Sequence, residues 1–458
     1  MSLPPFLVFR VRVFRVRGLR HGRQPGGSAF VESLVFRARN DIPKVVSDRL
    51  SLFEAWDAPK RLPGLSASRR YARTVFRPLA RFLALYAAAF AAFGVASPFV
   101  PALLASKGLN ASGIGLVLAA GTTIRLVAGP AGGRLADHSS APRRVLAFFL
   151  TTAAVIVLGY HPAYGFLLLL AVSGVEAAAL APVIPIADAL TLQAAGGPRR
   201  FHYGWVRGTG SAAFVGGTVL SGFAIARFGL PTFIWLNAAL LMVASAMALG
   251  LPPGRGSSTR QQGTPGGILS LLRLPWFARL MLVAALVEGS HAMHDSFAVI
   301  RWEAAGIGPH AAGLLWSEAV VSEIFIFIWL GRPLLDRLGP GGAAMLAGSA
   351  GVLRWCVMAR TSWLPVMAAI EPLHGLTFAL LHLACMRLMS RLVPVHLAAR
   401  AQAFYGTVAI GAAMALLTLL SGPLHQVLGS SAFLAMAGFC AAAVPVARGL
   451  PNVSPART

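Results

Sequence analysis

From Arg81 to Arg448 the chain alternates long apolar runs with short polar breaks. Each run is roughly 18–25 residues, enough for a helix to cross ~30 Å of hydrocarbon. The pattern predicts twelve helices: about 80–105, 112–136, 143–161, 164–192, 205–228, 230–251, 276–300, 311–335, 341–360, 363–390, 400–424 and 430–448. Basic residues sort between the breaks. With the N-terminus in the cytoplasm, the inner loops hold Arg143, Arg144, Arg199, Arg200, Arg207, Arg255, Arg260, Arg273, Arg332, Arg337, Arg387, Arg391 and Arg400. The outer loops hold only Lys107, Arg227, Arg301 and Arg360. Lys and Arg are retained on the cytoplasmic side, so the asymmetry predicts twelve spans with both termini inside.

Composition agrees. The chain is 56% hydrophobic and 12% charged, with mean hydropathy +0.69. A soluble domain carries about 25% charged residues, and a soluble chain this apolar would have nowhere to bury its side chains. An integral multi-pass protein is expected, in the inner (plasma) membrane of a bacterium. The net charge of +25 would suggest nucleic acid in a soluble chain. Here the basic residues flank apolar runs, which removes that reading. Cys356, Cys385 and Cys440 lie in apolar segments without metal-ligand spacing and read as small core residues.

The segment 252–275 (containing PPGRGSSTRQQGTPGG) reads as a flexible cytoplasmic linker between two six-helix halves, 78–251 and 276–450, with a tail at 451–458. The halves echo each other. Asp137 and Asp336 follow the second helix of each, and FHYG (Phe201–Gly204) and AFYG (Ala403–Gly406) enter the fifth. Residues 1–77 stand outside this plan. They hold sixteen Lys and Arg against five acids and no signal-peptide core. They read as disordered or as an incorrectly assigned start, with a basic arm on the anionic inner leaflet as the functional alternative.

Ionisable residues inside hydrocarbon cost at least ~2.5–3.5 kcal/mol each on insertion scales, so each needs a partner or a task. The second span carries Arg125; the fourth, Glu176 and Asp188; the seventh, Glu288, His291, His294 and Asp295. The eighth carries Glu318 and Glu323, the ninth Arg354, and the tenth Glu371, His374 and His382. The third, sixth and twelfth carry essentially none. Glu288, His291 and Asp295, three and four residues apart, are predicted to share one helix face. Glu371, His374 and His382 fall along one stripe, since eleven residues make about three α-turns. Carboxylates beside imidazoles can exchange protons near neutral pH. Glu288, Asp295, Glu323, Glu371 and His382 are therefore proton-coupling candidates. Arg125 is the candidate anchor for a substrate carboxylate, through two parallel hydrogen bonds; Glu176, His291 and His374 join it as substrate-binding candidates. A structural ion pair between Arg125 and Glu176 or Glu323 is the competing reading. Arg354 is expected to pair with a neighbour or snorkel. Pro98, Pro101, Pro182 and Pro185 predict bends in the first and fourth spans.

GPAGGRLADHSSAPRR (Gly129–Arg144), with its second copy GRPLLDRLGPGG (Gly331–Gly342), resembles the loop signature of the major facilitator superfamily. His138 and Pro142 depart from its usual basic residue and glycine. The resemblance implies gating roles for Asp137, Arg143, Arg144 and Asp336, and a cavity lined by helices other than the third, sixth, ninth and twelfth of the twelve. Asp188, near the cytoplasmic end of the fourth span beside Arg199 and Arg207, is read from its position as a further gate or loop contact. Three further stretches, YGWVRGTGSAAFVGG (Tyr203–Gly217), EGSHAMHDSFAVIRW (Glu288–Trp302) with LWSEAVVSEIFIF (Leu315–Phe327), and HGLTFALLHLACMRLMSRLVP (His374–Pro394), look like the phenylpropionate permease branch. That branch more often has Gln at the position of Glu288 and an aromatic residue at that of Asp295. The resemblance implies a proton-coupled symporter of a small organic acid, with aromatic carboxylic acids as the narrower class, working by alternating access with no cofactor and no obligate protein partner. Proton-driven efflux of cationic compounds is the alternative, favoured by the extra acids of the seventh span, and a non-transporting solute sensor is a further one. An enzyme is not expected: neither a HExxH-type motif nor a Ser-His-Asp arrangement is visible.

Overall fold

The protein is described here by a computed structural model covering residues 65–195, 201–252, 271–394 and 397–453. The expected basic arm up to residue 64, Arg199, Arg200, Arg255, Arg260 and nearly all of the expected linker lie outside these residues. Among the described residues the regular structure is helical throughout.

The first half contains α1 (Leu65–Ala96), α2 (Val100–Ser106), α3 (Ala111–His138), α4 (Pro142–Leu158), α5 (Phe166–Leu180), α6 (Val183–Ala195), α7 (Tyr203–Phe228) and α8 (Thr232–Leu249). Two of its interruptions fall at prolines. Proline lacks a backbone N–H and clashes with the preceding turn. Pro98 separates α1 from α2, and Pro182 separates α5 from α6.

The second half contains α9 (Pro275–Gly289), α10 (His291–Ala304), α11 (Pro309–Phe325), α12 (Gly331–Arg360), α13 (Leu364–Ile370), α14 (Leu381–Leu392), α15 (Ala398–Phe404), α16 (Ala413–Leu428) and α17 (Phe433–Arg448). It also holds three widened π-turn segments, Ile326–Leu330, Gly375–Leu380 and Tyr405–Ala412. Inside α12 the chain kinks at Gly339 (φ 68°, ψ 170°). Glycine tolerates that left-handed φ, and Pro340 has the preset φ that starts the next turn.

Among the described residues, eight stretches are long and apolar enough to cross a membrane. Two of them, Pro309–Arg360 and Arg400–Arg448, run to 52 and 49 residues. At 1.5 Å per residue each is far longer than one crossing requires. Large apolar side chains such as Leu167, Val175, Trp235, Leu282 and Leu416 stand exposed. In water this surface would aggregate; against lipid it is the stable arrangement.

The halves meet chiefly where α3 crosses α16 and α7 crosses α11. Lipid provides no hydrophobic drive between helices, so association depends on close packing of small residues. At one end of the bundle both crossings are glycine on glycine. A Cβ on Gly115 would fall 2.9 Å from Gly422 Cα, and one on Gly222 would fall 2.8 Å from the Pro309 carbonyl oxygen. Ser112 Oγ donates to Gln426 Oε1 (2.6 Å) across the same end. Cys385 and Cys440 are buried and Cys356 is half-buried, all as free thiols.

Candidate functional site

A cavity of about 610 Å³ lies between the halves. The proline breaks shape its wall, since Ser97 and Ala181 both line it where their helices bend. Phe93, Tyr160, Phe214 and Trp316 give it an aromatic lining. Its charged side chains are Arg125 and Glu176 from the first half and Asp295 from the second. Arg125, at mid-length in α3, is exposed to this space and forms no ion pair with any described acid. Glu176 is buried in the wall, close enough to Tyr160 and Arg125 to feel both. The amide of Asn237 donates to the Ala92 carbonyl (2.7 Å), leaving its buried Oδ1 without a protein donor.

Behind Asp295 the second half holds a connected set of ionisable groups. Arg354 and Glu371 are both 0% exposed and pair through Nη2 and Oε2 at 2.5 Å. The Nη1 of Arg354 lies 3.0 Å from His374 Nδ1. A guanidinium only donates, so His374 Nδ1 must accept. Its proton is then on Nε2, which donates to Glu323 Oε1 (2.7 Å). This fixes His374 as a neutral imidazole of one tautomer. His291 donates from Nδ1 to the Glu288 carbonyl oxygen (3.0 Å), and its Nε2 lies 2.9 Å from Oγ1 of Thr377, whose hydroxyl also reaches the His374 carbonyl (3.1 Å). His294 differs from both. Its Nδ1 and Nε2 each lie 3.3 Å from a carboxylate oxygen, of Asp295 and Glu371 respectively. The Nε2 contact is within ion-pair range but off the line of a hydrogen bond.

Local helix irregularities set this geometry. The helix breaks at Ser290, whose hydroxyl turns back to the Val287 carbonyl (2.6 Å). A tight 3₁₀ turn at Glu371–Leu373 passes through His374 into the π-turn segment Gly375–Leu380. Such tightening and widening changes which side chains face one another.

Among the predicted site residues, Arg125, Glu176 and Asp295 come together on the cavity. His291, His374, Glu323 and Glu371 sit in the packed second half and do not line it. Glu288 is buried with Oε1 unpartnered. His382 stands apart from Glu371 and His374, with Nδ1 3.2 Å from the Tyr405 hydroxyl. Of the loop residues, Asp336 pairs with Arg387 (2.7 Å). Arg143 donates to the Leu251 carbonyl (2.6 Å). Asp137 and Arg144 are exposed. Asp188 accepts from two tyrosine hydroxyls, those of Tyr86 and Tyr203 (2.9 Å for Tyr203). The sequence reading left out the central place of Arg354, which joins Glu371 to His374, and the aromatic wall residues Tyr160 and Trp316. Arg354 carried a signal, as the single charge of its span. Among the described residues no group of three His, Cys, Asp or Glu is placed to hold a metal ion.

The sequence matches the MFS_1 like family over residues 79–435. It is 34% identical over 376 residues to a probable 3-phenylpropionic acid transporter of Escherichia coli (strain K12), covering 78% of this chain and 94% of that one. It is 23% identical to the uncharacterized transporter YwbF of Bacillus subtilis (strain 168), over 74% of this chain and 84% of that one. Among solved structures, a mutant of the nucleoside transporter NupG superposes with TM-score 0.72 at 17% identity, over 80% of this chain and 98% of that one. A bacterial homolog of the human lysosomal transporter Spinster gives 0.64 at 13% identity, over 82% and 96%. These two likenesses show the fold. The chain belongs to the MFS_1-like family and is an integral, multi-pass membrane transporter of the major facilitator type.

Proposed function

We propose that the chain is a proton-coupled symporter of a small aromatic carboxylic acid. In this reading twelve spans form two six-helix bundles, 78–251 and 276–450, joined by the cytoplasmic linker 252–275, with both termini cytoplasmic. The halves rock about the central cavity. The glycine crossings at Gly115–Gly422 and Gly222–Gly313 then close the outer end, and the structure is inward-facing. The observation that carries the proposal is Arg125: a permanent cation, unpaired with any described acid, inside an aromatic-lined cavity. A guanidinium takes a carboxylate through two parallel bonds, and the aromatic wall takes a ring. The similarity to a probable 3-phenylpropionic acid transporter supports the same ligand class. Asp295, side chain 46% exposed, joins the cavity to the ionisable set behind it and is the proton's entry point. A proton moving inward releases about 2.3 kcal/mol per 100 mV. A carboxylate carried with one proton moves no net charge and takes that amount back, so its accumulation draws on the pH difference alone, about 1.4 kcal/mol or tenfold per pH unit, unless a further proton accompanies it.

The test is reconstitution of the full chain in vesicles holding a trapped pH dye. Addition of 3-phenylpropionate should acidify the lumen in wild type and not in Arg125→Ala. Proton movement only with aromatic amines would instead support efflux of cations. That second reading has its own support: two acids, Glu176 and Asp295, line the same cavity.

A further inference from the structure

His294 is surrounded by indoles. Its ring stacks on Trp316 (centroids 5.0 Å, 30° between planes), meets Trp302 edge-on (5.7 Å, 76°) and lies 6.0 Å from Trp355. Trp302 and Trp355 are fully buried; Trp316 alone of the three also lines the cavity. Both ring nitrogens of His294 face carboxylate oxygens. An imidazolium is matched at both, donating from Nδ1 to Asp295 and meeting the Glu371 charge at Nε2. Indole faces are electron-rich and attract a cation within ~6 Å of the ring centre. The cage is therefore built for the charged form. Asp295 comes from the same helix, Glu371 from the 3₁₀ turn after α13, and Arg354 from α12 opposes the charge through Glu371. His374 is near enough to sense its charge, and His291 packs against His374 (4.8 Å between ring centres) and Trp355. Glu318 and Glu323 share α11 with Trp316, and Arg125 and Glu176 face the cavity from the other half.

We infer that Trp316 couples occupancy of the cavity to the charge of His294: an aromatic substrate packs its ring on the cavity side of the same indole that stacks on the imidazole. The inference deepens the proton-coupled reading and rests on it. Trp316 thus does two jobs. It selects ligands that carry a ring, and it links their arrival to uptake of one proton at a ring nitrogen of His294. A small aliphatic acid would reach Arg125 without engaging the indole.

Imidazolium quenches indole emission on contact, so the protein carries its own reporter. The full chain in lipid nanodiscs would be titrated from pH 5 to 9, following tryptophan emission, with 3-phenylpropionate, propionate or phenethylamine as probes. Wild type should dim as pH falls; Trp316→Phe should remove the part of that amplitude that comes from the stacked indole, and His294→Gln should remove most of the whole. 3-Phenylpropionate should move the midpoint and propionate should not. In vesicles, Trp316→Leu should raise KM for 3-phenylpropionate about tenfold and shift the pH midpoint of uptake about one unit to lower pH. Trp316→Phe, which keeps a ring, should recover most of that loss; a purely packing role would not move the pH profile. If phenethylamine moves the emission midpoint in place of 3-phenylpropionate, the Trp316 coupling stands and the acid reading fails. Wild-type pH amplitude in Trp316→Phe, or a midpoint unmoved by either ring-bearing probe, overturns the inference.

Discussion

In the first half, the ionisable groups on the cavity, Arg125 and Glu176, form no ion pair with each other or with any described residue. In the second half, Asp295, His294, Glu371, Arg354, His374 and Glu323 run in an unbroken series of contacts of 3.3 Å or less. The five ion pairs between described residues all fall in this half. So do the three π-turn segments. An unpaired cation in a cavity suits a ligand that arrives from outside. A linked set of carboxylates and imidazoles suits protons that move within. Under the proposed function, the difference would give substrate binding to the first half and proton movement to the second.

The contrast can be broken most severely at Arg354. Arg354→Met leaves Glu371 buried without its partner, and removing one member of a buried pair costs about 3–5 kcal/mol. Thermal unfolding in detergent should show this loss, and a compensating Arg354→Met/Glu371→Leu pair should regain stability without regaining proton uptake. Arg125→Ala should behave in the opposite way. The unpaired side chain contributes little to stability, so unfolding should barely move. Binding of 3-phenylpropionate should weaken by about 1.5–3 kcal/mol, the worth of a hydrogen bond to a charged group. Gly422→Leu tests the closed end: its side chain would meet the Ala111 and Ser112 backbone. Overpacking costs about 1–3 kcal/mol, here levied on the closed state alone. Cysteine labelling near Ser112 should then rise and transport fall. The smallest effect is expected at Tyr203→Phe, which removes one of two hydroxyls from Asp188. About 1 kcal/mol of stability should be lost, with coupling unchanged.

The sequence made the apolar runs, the bends at Pro98 and Pro182 and the family likeness legible, because length, proline and loop motifs act locally. It also placed ionisable residues on the right segments. It could not show which of them meet. The face drawn through Glu288, His291 and Asp295 leaves out His294, yet His294 is what joins Asp295 to Glu371, a residue far along the chain. The stripe through Glu371, His374 and His382 assumed 3.6 residues per turn; the π-turn at Gly375–Leu380 breaks that register and delivers His382 to Tyr405 instead. For Arg354 the sequence reading reached only a charge that pairs with a neighbour or snorkels, because the partners it joins, Glu371 and His374, come from another helix. Spacing along one helix reports a face, not the helix opposite.

The division between the halves is tested most directly by Asp295→Asn in vesicles, measuring substrate exchange and proton uptake on the same preparation. Asp295 lines the cavity but belongs to the proton-bearing half, so the two functions should separate there. The account predicts exchange of 3-phenylpropionate within a few-fold of wild type, with proton uptake and uphill accumulation lost. Proton uptake persisting in Asp295→Asn, or exchange abolished along with it, would contradict the assignment of binding to one half and proton movement to the other.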